Sequence, residues 1–80
     1  MTTTSFHLLE AKPGESVRIL GLGTKASMRQ KLQQYGLFAG DIARVVRIAP
    51  FEGPILLSIN GREIALGESI AAQILVEKIS

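Results

Sequence analysis

The sequence predicts a mainly β protein, a small and strongly bent antiparallel barrel with one short helix inserted after the first strand and a helical turn before the last. Short segments of alternating apolar residues are separated by turn residues, and only one segment has helical periodicity. No segment is long enough for the crossovers that a parallel sheet needs. The 80 residues predict one domain over 6–80. Residues 1–5 lack spaced apolar side chains, so we expect a flexible N-terminus there.

The first strand is predicted after a turn at Pro13-Gly14, because Val17 and Ile19 alternate with polar residues. Glycines at positions 21 and 23 then give the backbone the freedom to bend away from the strand. This bend leads into the helical segment.

The helix is predicted to begin at Ser27, which can cap it together with a glutamine three residues later. Met28, Leu32 and Tyr35 recur at helical spacing, so they form one stripe that faces the body of the domain. Gly36 then supplies the left-handed residue that ends many helices.

The second strand has an interrupted alternation of apolar residues. Ile42, Val46 and Ile48 share one parity, but Arg44 interrupts them. A β-bulge or strong coiling near Arg44 would reconcile this pattern. Arg44 and Arg47 are three residues apart, so they point to different faces unless the bulge realigns them, and a simple solubilising role for both stays open.

A hairpin is the clearest local prediction, because Asn60-Gly61 lies between two runs of alternating apolar residues and favours a type I′ turn. The turn predicts three cross-strand pairs, which are Ile59 with Arg62, Leu57 with Ile64, and Ile55 with Leu66. This register places five apolar residues on one face and leaves Leu56 on the opposite face, so register and burial agree.

The last segment predicts a helical turn from Glu68 to Ala72, followed by a closing strand in which Ile74 and Val76 face the core. Closing the sheet would remove most of the unpaired strand edges that short strands otherwise present to solvent.

Composition argues against several classes of function. Nine basic and seven acidic residues are interspersed, which is unlike the basic stripe of a nucleic-acid-binding protein. The chain has no cysteine and one histidine, so cysteine–histidine and multi-histidine sites are excluded. "GLGTKAS" lacks the spacing of a phosphate-binding loop. We therefore expect no enzyme activity, no cofactor, no nucleic-acid partner and no insertion into the membrane.

Apolar residues in loops are the remaining candidates for function. Phe38 follows Leu37 in a turn, Phe51 lies between two prolines in a loop, and Leu56 is on the outer face of the hairpin. Exposed aromatic side chains are typical of protein interfaces. We predict a partner-binding surface built from Leu37, Phe38, Phe51 and Leu56, although a role of Phe51 as a core residue stays open.

From Leu8 to Ile79 the sequence resembles the FeoA family, the small cytosolic component of bacterial ferrous iron uptake systems. The resemblance depends on the order of three pieces, the K-L-x-x-x-G-L-x-x-G segment from Lys31 to Gly40, the "RIAPFEGPI" loop, and "GREIAL" followed by Ala71 to Ile74. It implies an SH3-like barrel and an accessory role beside FeoB, the membrane transporter with a cytosolic GTP-binding domain. Gly67 and Gln34-Tyr35-Gly36 depart from the residues common in that family, so we expect different contacts at those positions.

Two other readings of the sequence stay open besides an accessory protein that docks on FeoB. One is a regulatory SH3-like domain related to those of iron-dependent repressors. The other is an Fe(II)-sensing domain, for which His7 and Glu10 are the best placed ligands. The absence of a signal peptide and of a long apolar run predicts a cytoplasmic protein, recruited to the inner face of the membrane by its partner. Weak self-association and the effect on the partner are left open.

Overall fold

A computed structural model describes residues 4–51 and 53–79 of the chain. The elements, in chain order, are β1 (Ser5–His7), a 3-10 turn (Leu8–Glu10), β2 (Ser16–Gly21), α1 (Ala26–Gln34), β3 (Ile42–Ile48), β4 (Ile55–Ile59), β5 (Arg62–Leu66), α2 (Glu68–Ala71) and β6 (Leu75–Lys78). The prediction of a mainly β fold is confirmed.

All strands join one antiparallel sheet in the order β1-β6-β2-β3-β4-β5. The strands β1 and β5 end this order and do not pair with each other, so the sheet is not closed by hydrogen bonds. The fold is SH3-like, but the expected loss of strand edges does not occur. One edge belongs to β1 and the other to β5.

The position of the helix needs a correction, because α1 follows the second strand of the chain and not the first. Strand β1 was missed since three residues are too few to show an alternating pattern. It pairs with β6 through Ser5 and Glu77, Phe6 and Val76, and His7 and Leu75. Of the predicted flexible segment 1–5, residues 1–3 lie outside the described residues, and Ser5 belongs to β1.

The helix also begins earlier than predicted. Lys25 is the N-cap of α1, and its carbonyl accepts the first helical hydrogen bond from the Arg29 N–H at 3.1 Å. Ser27 therefore lies inside the first turn and cannot cap it. Of the predicted stripe, Leu32 is buried and Tyr35 is exposed. The end of the helix was predicted correctly, because Gly36, which follows the C-cap Tyr35, has a φ of 92°.

The predicted hairpin is confirmed in turn and register. Asn60 and Gly61 have φ angles of 52° and 81°, as a type I′ turn requires. The three predicted pairs are all present, and Ile64 is the one inward residue that is only half-buried.

The bulge lies on β3 at Val46, two residues after the predicted position. Arg44 pairs with Ser58 and Val45 with Leu57, but the next pair joins Arg47 to Leu56, so Val46 has no opposite residue. The extra residue restores the alternation that the sequence lacks.

One apolar cluster fills the space between the inner face of the sheet and the helices. It includes Ile74 and Val76, as predicted, and α2 covers one side of it with Ala71. The fully buried members with large side chains are Leu8, Ile19, Leu32, Leu37, Ile55, Leu57, Ile59, Leu66, Ile74, Val17, Val45 and Val76. Because the core takes these residues, other apolar side chains are left on the surface.

Candidate functional site

The four predicted interface residues have different environments. Leu37 is completely buried, so its assignment to a partner surface is wrong for this conformation. Its N–H donates to the Leu32 carbonyl at 3.0 Å, which turns the chain back under the end of α1 and directs the side chain into the core. Leu37 therefore supports the turn from inside, and the neighbouring residue provides the exposed surface.

Phe38 is that neighbour, and its side chain is 48% exposed. A short turn holds its backbone, since the Phe38 N–H donates to the Asp41 carboxylate at 3.1 Å and the Asp41 N–H donates to the Phe38 carbonyl at 3.1 Å. Gly40 and Asp41 in turn bond to the backbone of Ile19 on β2. The turn is thus fixed to the sheet, and Phe38 projects from an ordered position.

Phe51 is 97% exposed, so it is not the core residue that the sequence left open. Its φ of 58° is unusual for a residue with a large side chain. The surrounding loop fixes this conformation, because the Gly53 N–H donates to the Pro50 carbonyl at 3.2 Å and the Ala49 N–H donates to the Pro54 carbonyl at 3.0 Å. A defined loop therefore presents an aromatic ring to solvent.

Phe38 and Phe51 do not form one patch. They lie beyond the opposite ends of β3, which has seven residues. At about 3.3 Å per residue, the strand alone separates them by about 20 Å. A partner that contacts both rings must therefore extend along β3.

The outward face of β3 connects these two ends. Ala43 and Val45 are completely buried, so the alternate residues Ile42 and Arg44 point outward. Because the bulge shifts the register, Arg47 also faces outward.

The cross-strand register supports this orientation. Arg44 and Arg47 oppose Ser58 and Leu56, which are two residues apart and therefore share one face of β4. We call Ile42, Arg44, Arg47 and Leu56 together the β3 surface. It contains one predicted interface residue, the half-buried Leu56, beside the side chain of Arg47.

The charges of the β3 surface are free of partners within the described part of the chain. Arg18, on the neighbouring strand, forms an ion pair with Glu77 at 3.0 Å. Arg44 and Arg47 make no such pair with any described residue. Two unpaired guanidinium groups beside exposed apolar side chains are suited to bind acidic and aromatic groups of another protein.

Sequence reasoning missed Ile42, which is 51% exposed although it begins a strand of a small domain. The sequence contains an indication that Ile42 faces outward, because Ala43 and Val45 occupy the alternate positions of the strand and can form its buried face. Ala43 is a weak indicator of a buried face because its side chain is small. The larger side chains of Ile42, Val46 and Ile48 therefore dominated the apolar pattern of the strand. In the structure Ile42, Val46 and Ile48 are all exposed.

A second group of charged residues, around Glu15, has a structural role. The Glu15 carboxylate accepts a hydrogen bond from the Lys12 N–H at 2.6 Å and forms an ion pair with Lys78 at 3.3 Å. These contacts, the hydrogen bond first, lower the pKa of Glu15. They connect the turn before β2 to the end of β6.

The candidate metal ligands His7 and Glu10 lie at the two ends of the 3-10 turn, His7 as its N-cap and Glu10 as its last residue. The distance from His7 Nδ1 to Glu10 Oε1 is 3.7 Å, and the His7 N–H donates to the same carboxylate at 3.2 Å. Over residues 4–51 and 53–79, no three histidine, aspartate or glutamate side chains cluster in a way that could hold a metal ion. The helices in these two ranges are too short or too polar to span a membrane.

Comparison with known proteins gives consistent matches over almost the whole chain. Residues 6–78 match the family described as the FeoA domain. A protein of Methanocaldococcus jannaschii named Fe(2+) transport protein A is 32% identical over 72 residues, which are 90% of this chain and 85% of the relative.

Solved structures match the fold in the same way. The crystal structure of an iron uptake regulatory protein, FeoA, superposes with a TM-score of 0.82 and 30% identity, covering 95% of this chain and 99% of that one. A manganese-dependent transcriptional repressor gives a TM-score of 0.87 over 99% of this chain and 44% of its own, but at 20% identity this likeness concerns the fold alone.

Proposed function

The chain belongs to the FeoA family, and on this premise we propose that it is a non-catalytic accessory protein of a ferrous iron uptake system. In this proposal it acts in the cytoplasm, at the inner face of the membrane, by binding the cytosolic part of a FeoB-type transporter. The β3 surface, with Phe38 and Phe51 beyond its two ends, is the contact region.

The observation that carries this proposal is the composition of the β3 surface. Arginine and aromatic residues are enriched among the side chains that dominate binding energy at protein interfaces. Here two arginines that form no ion pair with a residue of 4–51 or 53–79 lie on one strand, between two exposed phenylalanines. An acidic partner surface with apolar recesses about 20 Å apart would complement this arrangement.

The rigidity of both phenylalanine positions supports the same reading. Backbone hydrogen bonds hold the turn of Phe38 and the loop of Phe51 in the free protein. A loop whose backbone is already ordered loses less conformational entropy when a partner binds it. Exposed aromatic residues on ordered loops are thus suited to act as anchors.

The proposal is tested by NMR titration of the labelled chain with the purified cytosolic region of a FeoB-type transporter. We expect the largest amide shift changes at residues 38–48 and around Phe51, with small changes on β1 and β6. Shift changes centred on β6, or no binding at protein concentrations up to about 1 mM, would remove the β3 surface from the proposal. Titration with Fe(II) alone under anaerobic conditions tests the sensing alternative, for which a saturable one-to-one site is the required result.

A further inference from the structure

A groove of about 470 Å³ runs beside the free edge of β5, two strands away from β3. Tyr35 lines it from the end of α1, Ile70 lines it from α2, and Ile64 contributes from β5 itself. Ile64 and Ile70 are half-buried and pack against the core, whereas Tyr35 is 45% exposed. The groove therefore has an apolar wall next to an open strand edge.

The backbone of β5 leaves a regular set of hydrogen-bonding groups at this edge. In a two-residue hairpin the residues that flank the turn form a hydrogen-bonded pair, and such pairs recur at every second residue. Arg62, Ile64 and Leu66 therefore bond to β4, as their register requires. Glu63 and Ala65 direct their N–H and C=O groups away from β4, and no described strand pairs with them there.

The side chains at the edge define which strand would fit. If another strand were added to this edge, its residue directly opposite Ile64 would point to the inner face, towards Tyr35 and Ile70. An apolar side chain is favoured at that position of the added strand. The residue of the added strand opposite Glu63 would point to the outer face. Glu63 has no ion-pair partner among the described residues, so a basic side chain is favoured beside it.

The size of the edge argues for a short peptide as the occupant. Five residues give an edge of about 17 Å, and a strip about 10 Å wide along it has an area of about 170 Å². A stable dimer buries about 800 Å² on each partner. A second copy held through this edge alone would fall far below that area, whereas one extended segment would use the whole edge.

We propose that the free edge of β5 binds an extended peptide of alternating basic and apolar residues as an added strand. Its backbone pairs with Glu63 and Ala65, its apolar side chains contact Tyr35, Ile64 and Ile70, and its basic side chains lie near Glu63. On the outer face Glu63 adjoins the β3 surface, because Glu63 and Arg44 line one depression on either side of Ser58. The peptide site itself lies at the β5 edge and does not depend on the transporter.

The test uses the full chain and a capped heptapeptide in which lysine and valine alternate, followed by NMR and by amide hydrogen exchange. We expect saturable binding below about 1 mM and exchange slowed about tenfold or more at Glu63 and Ala65, with little change at Arg62, Ile64 and Leu66. A peptide with glutamate in place of lysine should bind about fivefold or more weakly. Peptides N-methylated at alternate backbone nitrogens provide a control that leaves the protein unchanged, and methylation in one of the two frames should abolish binding.

Two variants separate backbone pairing from side-chain contact. Ala65→Pro removes the outward N–H, at a position of an edge strand where proline is tolerated, and should weaken binding about tenfold or more. Ala65→Val keeps that N–H and should bind within about threefold of the parent chain. If Ala65→Pro fails to fold, the methylated peptides give the same comparison.

Three results would overturn the proposal. The first is no binding by the lysine–valine peptide at about 1 mM. The second is binding that leaves the exchange of the Glu63 and Ala65 amides unchanged. The third is protection of these amides without peptide that rises with protein concentration, because a second copy would then occupy the edge. None of these results bears on the β3 surface, so the two proposals fail independently.

Discussion

The guanidinium of Arg62, at the start of β5, lies against Gly36, which follows the C-cap of α1, and donates a hydrogen bond to its carbonyl at 3.5 Å. The hairpin therefore contacts the segment that follows the helix, at a residue with a left-handed backbone conformation. A Cβ at position 36 would be 2.7 Å from Arg62 Nη1, which is too close. Gly36 is thus needed for its φ angle, and a side chain at this position would in addition displace the flexible end of Arg62.

Gly36→Ala should lower the free energy of unfolding by about 1 to 2 kcal/mol, because alanine is strained at this φ and displaces Arg62. Urea denaturation measures the change. In an Arg62→Ala background the steric part disappears, and only the backbone strain should remain. Equal losses in the two backgrounds would show that the guanidinium does not restrict position 36.

The adjacent residues Leu37 and Phe38 should respond in opposite ways to truncation. Leu37→Ala removes a fully buried side chain and should lower the free energy of unfolding by about 3 kcal/mol. Phe38→Ala changes a half-exposed side chain and should cost less than about 1 kcal/mol. Thermal and urea denaturation of both variants provide the measurement. A larger loss for Phe38→Ala would contradict the assignment of core and surface.

Phe51→Asn should remove the exposed ring and keep the loop, because asparagine tolerates a positive φ. We expect unfolding within about 0.5 kcal/mol of the parent chain and about tenfold weaker binding to the cytosolic region of a FeoB-type transporter. Isothermal titration calorimetry measures the affinity. Unchanged affinity would exclude Phe51 as an anchor, whichever surface is used.

Arg47→Glu should weaken the same complex about tenfold or more, since it places a negative charge on the β3 surface. The loss of affinity should become smaller as salt is added, because salt screens the interactions of an exposed charge such as the one at position 47. Lys25→Glu is the matched control, with an identical change in net charge at the exposed start of α1. If both variants weaken binding equally, overall charge and not the β3 surface is responsible.

The pH dependence of stability should include a contribution from Glu15. Its pKa is lowered in the folded chain from 4.5, its ordinary value, so the folded state binds this proton less readily than the unfolded state. The stabilisation is complete above about pH 4.5 and is lost as the pH falls through the lowered pKa. Urea denaturation between pH 6 and pH 2 should show a smaller loss for Glu15→Gln than for the parent chain. Identical profiles would exclude this carboxylate as a contributor.

Local rules predicted the parts of the fold that local sequence determines. The Asn60-Gly61 turn requires two positive φ angles, and that requirement alone defines the register of five cross-strand pairs. The end of α1 was predictable for the same reason, because Gly36 just after the helix adopts the positive φ that favours glycine. In contrast, β1 exists because β6 provides its hydrogen-bonding partner, and three residues of sequence carry no record of a partner so distant in the chain.

The candidate site was predictable only in part, for a related reason. The sequence indicated Phe38 and Phe51 because large aromatic side chains in loops are unusual. It could not separate Leu37 from Phe38, since the direction of each side chain depends on the hydrogen bond from Leu37 back to Leu32. The alignment of Arg44 with Arg47 required the position of the bulge, which is set by pairing with β4.

The bulge at Val46 also determines how β3 tolerates changes in length. With this residue present, the strand has one residue more than β4 over the paired segment. Deleting Val46 would leave a regular ladder in which Arg47 still opposes Leu56 and Ile48 still opposes Ile55, so the bulge would be lost while the later residues kept their faces. A one-residue gap at Val46 in alignments with relatives therefore moves no later residue of β3 to the other face, whereas a gap at a paired position of the strand would do so.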